Sequence, residues 1–497
     1  MDYMEGMGAV VGGDECAHVP YNSQILPVHA AMLHTGKLLY FSGSGNNNRN
    51  FPRKSMAARL WDPATGQIEA VPVHREQRDL FCAGHCFLPD GKLLVAGGTA
   101  GYPILFPYGF LSGIPDTFLF DPESGRWLKG SSMSEGRWYP TCAALPDGSA
   151  LVLSGWRDHL PWKIVVPPFL MINRRVERWD PTAGPDSESE TTGRWEDLKA
   201  DHHSAYYPRL HVVPPGEVLK VGREPETFVF NLESRRWRRV ATSRGGPRVY
   251  GTSVLLPLEP PDYDVRVMIL GGAASEFLTG RATNSVEILR RDGTAYTWSD
   301  APPMSFPRHH ISATLLLDGR VLVTGGARED NSNPVFETEL FDPAKGTWRF
   351  GATCHVPRLY HSVSILLPDG RVWSGGGNPH PGDEELRIEI YTPGYTKDPD
   401  RPKIHESPRT IEYGQGFEIR FQSVARIIKA ALLRPSSATH SFNADQRWVG
   451  LVFQLSEADR IRAISPPTSD QAPPGWYLLT LVDELDRPAE AHWVHLS

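Results

Sequence analysis

The chain alternates short apolar runs with tight clusters of glycine, aspartate and proline, and one such unit keeps returning. "HTGKLLYFSG" (34–43), "PDGKLLVAGG" (89–98), "PDGSALVLSG" (146–155), "PPGEVLKVG" (214–222), "VRVMILGG" (265–272), "LDGRVLVTGG" (317–326) and "PDGRVWSGGG" (368–377) share an apolar run that closes on glycine, most of them opening on a turn. Short apolar runs bounded by turn residues read as buried strands. Asp-Gly joins two strands in a tight hairpin because glycine accepts a positive φ. The paired glycines after the second strand predict a close approach by another piece of backbone. A shorter strand follows, often ending in a turn and a tryptophan, as in "LWDPATG", "FLFDPESGRW", "RWDPTAG", "FVFNLESRRW" and "LFDPAKGTW".

The units recur about every 50 to 68 residues, near the spacing of kelch-type repeats. Seven units of four short strands predict an all-β fold with a seven-bladed β-propeller over 25–395. "ILPVHAAML" (25–33) is expected to help close the ring, leaving 1–24 as an N-terminal extension. After "IYTPGY" (390–395) the pattern changes to a linker rich in proline and charge, "TKDPDRPKIHESP". The alternating strands beyond it ("GFEIRFQS", "IIKAALLRP", "WVGLVFQLS", "GWYLLTLVD", "AHWVHLS") predict a C-terminal immunoglobulin-like β-sandwich over 396–497, without a Cys…Trp…Cys pattern.

Composition narrows the function. The 46 Gly and 44 Pro in 497 residues agree with many turns. A net charge of −7 argues against nucleic acid or an anionic membrane as the main partner. No apolar run reaches the length of a membrane-spanning helix. The acidic start lacks the basic and apolar regions of a secretory leader, so the chain reads as cytoplasmic or as already processed. Five cysteines (16, 82, 86, 142 and 354) are odd in number, lack zinc-ribbon spacing and are too few for a disulfide scaffold.

Aligned on their turns, Cys82, Tyr139, His310 and His361 each stand eight residues before the hairpin aspartate, with Tyr360 beside His361. Tyr207 and Tyr250 take the equivalent place in two units with weaker anchors. Equivalent positions in a propeller lie around one ring near the central channel. Two readings stay open here: a metal site, or polar tips capping strand ends in a water-filled channel. Imidazole, phenol and thiol together favour copper or iron over magnesium or calcium, with zinc also compatible.

The segments "FCAGHCFLPDG", "GRWYPT", "RLYHSVSILLPDGRV" and "ATHSFNADQRW" resemble the signature segments of the galactose oxidase/glyoxal oxidase family of copper-radical oxidases. They stand in that family's order, and the resemblance covers nearly the whole chain. It implies a thioether between Cys82 and the ring of Tyr139, which would then be an equatorial copper ligand and radical carrier. It further implies Tyr360 as axial phenol and general base, and His361 and His440 as the other equatorial ligands. Trp156 resembles the tryptophan that stacks over the thioether in galactose oxidases, one residue off in spacing. The Trp138-Tyr139 pair is closer to the glyoxal oxidase branch. Cys86 and Cys142 read as core residues.

The implied reaction is oxidation of a primary alcohol or aldehyde by O2, with release of H2O2. Alcohol oxidation removes two electrons, and copper(II) accepts one, so a protein-derived Cys82-Tyr139 thioether radical supplies the second acceptor. The expected partners are O2 and a small alcohol, aldehyde or carbohydrate, with a monomeric chain and no nucleic acid. "DHHSAYYP" (201–208) and "RHH" (308–310) line the substrate mouth or are solvated strand ends. A non-catalytic kelch propeller binding a protein or glycan is the alternative. A zinc or iron hydrolase lacks an evident carboxylate base. The loop "SSATHSFNADQR" is expected to carry His440 from the sandwich into the propeller channel.

Overall fold

The computed structural model describes residues 13–47, 49–51, 57–101, 112–157, 171–183, 192–274, 281–329, 331–380 and 382–497. The first twelve residues, on which the leader reading rests, lie outside it. The repeated turns form as the sequence predicts. The carboxylates of Asp90, Asp147, Asp318 and Asp369 accept the N–H two residues on, at 3.1, 3.0, 2.9 and 2.9 Å. The glycines that follow them hold φ between 83° and 96°, a left-handed conformation that glycine adopts without steric penalty.

Seven strands begin at or near these units and head antiparallel sheets: His29–Met32, Gly84–Phe87, Thr141–Ala144, Arg209–Val213, Thr252–Leu255, Ser312–Leu315 and Ser362–Leu366. Neighbouring inner strands touch around a ring, and between the first two stands Ser437–Thr439, a strand from far along the chain. The core lies between successive sheets. Cys86 and Leu94 of one sheet meet Cys142, Val152 and Trp179 of the next, which places both cysteines in the core. Trp179 is fully buried, and a Cβ on Gly193 would stand 2.1 Å from its ring, so the glycine there makes room for the indole.

The ring closes differently from the sequence reading. Glu15–Asn22, in the segment set apart as an extension, pairs with Arg387–Thr392 as the outer strand of the last sheet. His29–Met32, within 25–33, is the innermost strand of the first. Glu15–Asn22 is mostly exposed with only Cys16 buried, so no apolar run announces it. Cys16 forms a disulfide with Cys354, 338 residues away, which fastens this strand to the neighbouring sheet. The odd cysteine count gave no hint of that bond.

Beyond Lys403 two sheets face each other. One runs Lys403–Glu406, Gly416–Gln422, Arg460–Ile464, Val452–Glu457; the other contains Ile427–Arg434, Arg447–Gly450, Gly475–Asp483 and His492–Leu496. Ile419, Leu432, Ile461, Leu479 and Val494 fill the space between them, and the cluster continues into Leu255 and Val267 of the propeller. The strands alternate in burial as a two-sheet sandwich requires. Among the described residues no helix is long and apolar enough to cross a membrane.

Candidate metal centre

Each ring position sits in a tight turn that needs a positive φ. Cys82, Tyr139, Tyr207, Tyr250, His310 and His361 have φ of 64°, 65°, 47°, 58°, 56° and 65°. Glycine would be cheapest there, and each other residue type costs about 1–2 kcal/mol. Six successive sheets carry that strain to keep a thiol, phenol or imidazole. Tyr207 and Tyr250 therefore occupy the equivalent place. The turns are also joined sideways: the Tyr139 N–H donates to the Cys82 carbonyl at 2.9 Å, and the Tyr207 N–H to the Tyr139 carbonyl at 2.8 Å.

A device absent from the sequence reading fixes these turns. Arg137, Arg248 and Arg308 precede Tyr139, Tyr250 and His310 by two residues, and Arg358 likewise precedes Tyr360. Each guanidinium is buried and meets a buried glutamate from its own sheet. Arg137 reaches Glu177 at 2.6 Å, Arg248 reaches Glu287 at 2.8 Å, Arg308 reaches Glu339 at 2.7 Å and Arg358 reaches Glu389 at 3.6 Å. The arginine carbonyls accept from the paired glycines of the preceding sheet, as in Gly98 to Arg137 (3.0 Å) and Gly326 to Arg358 (2.7 Å). A Cβ at Gly98 would meet the Asp79 carbonyl at 2.2 Å, the close backbone approach that the glycine pair predicted. The repeated arginine offset was the legible signal for this device.

At the centre, Tyr139, Tyr360, His361 and His440 converge with Cys82. The Tyr139 and Tyr360 hydroxyls are hydrogen-bonded to each other. The Cys82 sulfur and one nitrogen each of His361 and His440 lie within 4.8 Å of one another. His440 Nε2 stands 3.7 Å from Cys82 Sγ, while its Nδ1 is 2.6 Å from Thr439 Oγ1. His361 Nδ1 donates to Asn378 Oδ1 at 3.3 Å. Its buried Nε2 has no hydrogen-bond partner among the described residues. Burial holds His361 down to about 3 and His440 well below the ordinary histidine range, so both rings are neutral and present a lone pair. Second partners that fix the ring orientation are what metal-binding histidines need. Burial raises the Tyr139 phenol well above its usual range, with Cys82 and Tyr360 adding to the effect. Two neutral imidazoles and two phenol oxygens in a buried cluster fit copper, which would take the phenols as phenolates.

Trp138 lies flat on Tyr139, with centroids 3.8 Å apart and planes 19° from parallel. Trp156 stands one layer out, 5.0 Å from Trp138 and tilted by 37°, and is joined to it by paired backbone hydrogen bonds of 2.9 and 2.7 Å. The stacked place expected for Trp156 is thus taken by Trp138. Trp138 directly precedes the positive-φ residue, and the turn lays its ring back over its neighbour.

The loop carrying His440 is anchored mostly by side chains that imitate strand partners. Gln446 bonds both the N–H and the carbonyl of Leu315 at 2.7 Å, and Asp445 accepts from the Phe87 N–H at 2.7 Å. Arg447 donates to the Val212 carbonyl, and Thr439 to the Val28 carbonyl at 3.1 Å. Arg209 answers from the propeller side, donating to the His440 carbonyl at 3.3 Å. The sandwich loop is thus tied to four sheets.

Asp445 is buried, and its carboxyl is pushed up to about 6, with Arg434 opposing the shift. Unfolded, it titrates near about 3.9. The folded chain binds the proton more tightly, so this group's contribution falls as pH rises from about 4 to 6. Asp445→Asn is expected to remove about 2–3 kcal/mol of that fall. Urea unfolding at pH 4.5 and 7, wild type against variant, checks it; an unchanged pH slope contradicts it.

The chain is similar to known proteins over most of its length. A family model described as "Glyoxal oxidase N-terminus" matches residues 54–395, and "Galactose oxidase-like, Early set domain" matches 401–496. An aldehyde oxidase GLOX from Vitis pseudoreticulata is 30% identical over 460 residues, 84% of this chain and 82% of that protein. A galactose oxidase from Gibberella zeae is 26% identical over 506 residues, 95% of this chain and 69% of that protein. A fungal alcohol oxidase solved in complex with copper shares the fold, with TM-score 0.80 at 23% identity over 98% of this chain and all of that one.

Proposed function

The chain belongs to the glyoxal oxidase family, and from that premise we propose how its residues carry the chemistry of a copper-dependent oxidase. The reaction is oxidation of a small primary alcohol or aldehyde by O2, with H2O2 as the second product. The observation that carries the assignment of roles is the convergence of Cys82, Tyr139, Tyr360, His361 and His440 at one buried point. A non-catalytic scaffold leaves that convergence, and the strained turns behind it, without a use.

His361 and His440 would hold the metal through their imidazoles, and Tyr139 and Tyr360 through their phenol oxygens. Bound copper supplies a one-electron couple and a Lewis-acidic place for the substrate oxygen. Tyr360 receives the hydroxyl proton of an alcohol or of a hydrated aldehyde. Tyr139, once cross-linked to Cys82, would store the second oxidising equivalent and take the hydrogen from the reacting carbon. For an alcohol, RCH2OH and O2 give RCHO and H2O2. Trp138, stacked on Tyr139, excludes water from one face of that ring. Thr439 and Asn378 hold the imidazoles in the tautomer that leaves Nε2 free.

The cross-link is tested directly. After copper loading in air, peptide mass spectrometry is expected to find the Cys82 and Tyr139 peptides joined, lighter by two hydrogens. Cys82→Ser is expected to retain copper and lose most peroxide output. Separate, unmodified peptides from active protein count against the cross-link. Failure of the copper-loaded wild type to form peroxide with any alcohol or aldehyde counts against the whole reading.

A further inference from the structure

Three of the six strained ring residues have a task in the oxidase chemistry: Cys82 and Tyr139 in the radical cofactor, and His361 at the metal. Tyr207 has a structural one, since its hydroxyl donates to the Ala83 carbonyl at 2.9 Å. His310 stands in the same ring with neither kind of task. It holds φ at 56°, which costs a residue with a Cβ about 1–2 kcal/mol. Its side chain is buried, and Nε2 has no hydrogen-bond partner among the described residues. An unsatisfied buried polar atom costs about 1–3 kcal/mol more. A glycine there would avoid both costs, and a leucine the second. His361 shows the same two features, a strained turn and an orphaned Nε2, and its imidazole is a ligand in the oxidase reading. His310 belongs to no metal-competent cluster among the described residues. It does line the cavity over Tyr139 and Tyr360, which points to a polar group on the substrate.

The ring is firmly placed for that task. The His310 N–H donates to the Tyr250 carbonyl at 2.8 Å, and the preceding His309 N–H to the Ala327 carbonyl at 3.0 Å. The imidazole packs on Tyr250 with centroids 4.2 Å apart and on Tyr360 at 4.9 Å. Tyr360 thus touches both His310 and His361, the latter at 3.7 Å. Alcohols and aldehydes offer such a group different things. RCH2OH carries one hydroxyl on the reacting carbon, and Tyr360 takes its proton. An aldehyde first adds water, and RCH(OH)2 carries two. RCH(OH)2 and O2 then give RCOOH and H2O2: the C–H bond and one O–H bond break, and O2 takes two electrons and two protons. The second hydroxyl can donate or accept, so it suits either tautomer of a neutral imidazole.

We propose that His310 binds the second hydroxyl of a hydrated aldehyde, and so sets this site's preference for aldehydes over primary alcohols. The proposal rests on the oxidase reading above and adds to it the residue that separates the two substrate classes.

The test measures peroxide from straight-chain aldehydes, each paired with the primary alcohol of the same length, on the copper-loaded full chain. His310→Phe keeps a ring in place and removes both nitrogens. At unchanged copper content it is expected to lower kcat/KM for aldehydes about tenfold relative to alcohols, the loss of one buried hydrogen bond. His310→Gln, which keeps a donor and an acceptor, is expected to recover part of that ratio. A second measurement uses neither copper nor turnover. Trifluoroacetaldehyde, present in water as its hydrate, and trifluoroethanol differ by one hydroxyl on the same carbon. Fluorine NMR of the metal-free protein is expected to show the hydrate bound about tenfold more tightly than the alcohol, and the two bound equally by His310→Phe. Aldehyde oxidation undiminished in His310→Phe, or a wild type that binds the hydrate no better than the alcohol, overturns the proposal. Equal losses toward aldehydes and alcohols also overturn it, since they place the imidazole at O2 or at the metal. A wild type that forms no peroxide with either class overturns the oxidase reading instead, and hydrate binding still tests His310.

Discussion

Tyr360→Phe is expected to lower turnover by about 100- to 10,000-fold, the usual range for a lost general base. The variant keeps the ring and loses only the hydroxyl, which in the structure is hydrogen-bonded to that of Tyr139. The ring itself is held between His361, at 3.7 Å, and His310, at 4.9 Å, so the rest of the centre should stay in place. Copper should remain bound through Tyr139, His361 and His440. His361→Ala provides the contrast, because it deletes a nitrogen whose lone pair has no other use among the described residues. That variant is expected to lose copper on gel filtration. Metal content and peroxide release, measured on the same preparations, separate the two effects. Undiminished turnover in Tyr360→Phe removes Tyr360 from the mechanism; full copper retention in His361→Ala removes His361 from the ligand set.

The second large effect concerns folding. Arg137→Met is expected to destabilise the protein by about 3–5 kcal/mol, because it leaves Glu177 as an unpaired buried charge. Arg137 and Glu177 are both buried at 2.6 Å, and the arginine also donates to the Ser154 and Arg175 carbonyls at 2.7 and 2.9 Å. Glu177 accepts in addition from the Ser134 N–H at 2.9 Å. Replacing both partners, with Arg137→Met and Glu177→Leu together, should recover much of the loss, since two apolar groups leave no charge stranded. Urea unfolding of the single and double variants checks this. A single variant within about 1 kcal/mol of wild type would show that the turn under Tyr139 is held by packing alone. Because Arg137 precedes Tyr139 by two residues, surviving protein is also expected to form less Cys82-Tyr139 cross-link.

Both predictions begin from residues that the chain displays in register. Asp-Gly turns, apolar strands and glycine pairs are local features. Hydrogen bonds two residues apart and positive φ at glycine fix them without help from the rest of the fold. The register of those turns places Cys82, Tyr139, His310 and His361 at one level, because the period-two geometry of a strand carries register faithfully over a few residues. The buried Arg-Glu pairs lie beyond the reach of that local register. The arginine offset repeats, but a glutamate becomes its partner only when the third strand of the sheet returns beside it.

What the sequence determined by itself is the repeating hairpin, the ring of chemically active side chains, and the change of pattern after 395. Each depends on interactions spanning a few residues. The tertiary structure decided the rest. It chose Glu15–Asn22 to close the ring and joined Cys16 to Cys354 across 338 residues. It laid Trp138 on Tyr139 and left Trp156 behind it. It brought His440 to His361 through Asp445, Gln446 and Arg447, which bind to backbone edges of separate sheets. A polar loop carries no periodicity that names its target. Its destination exists only when a closed ring presents strand-edge carbonyl and amide groups for those side chains to satisfy.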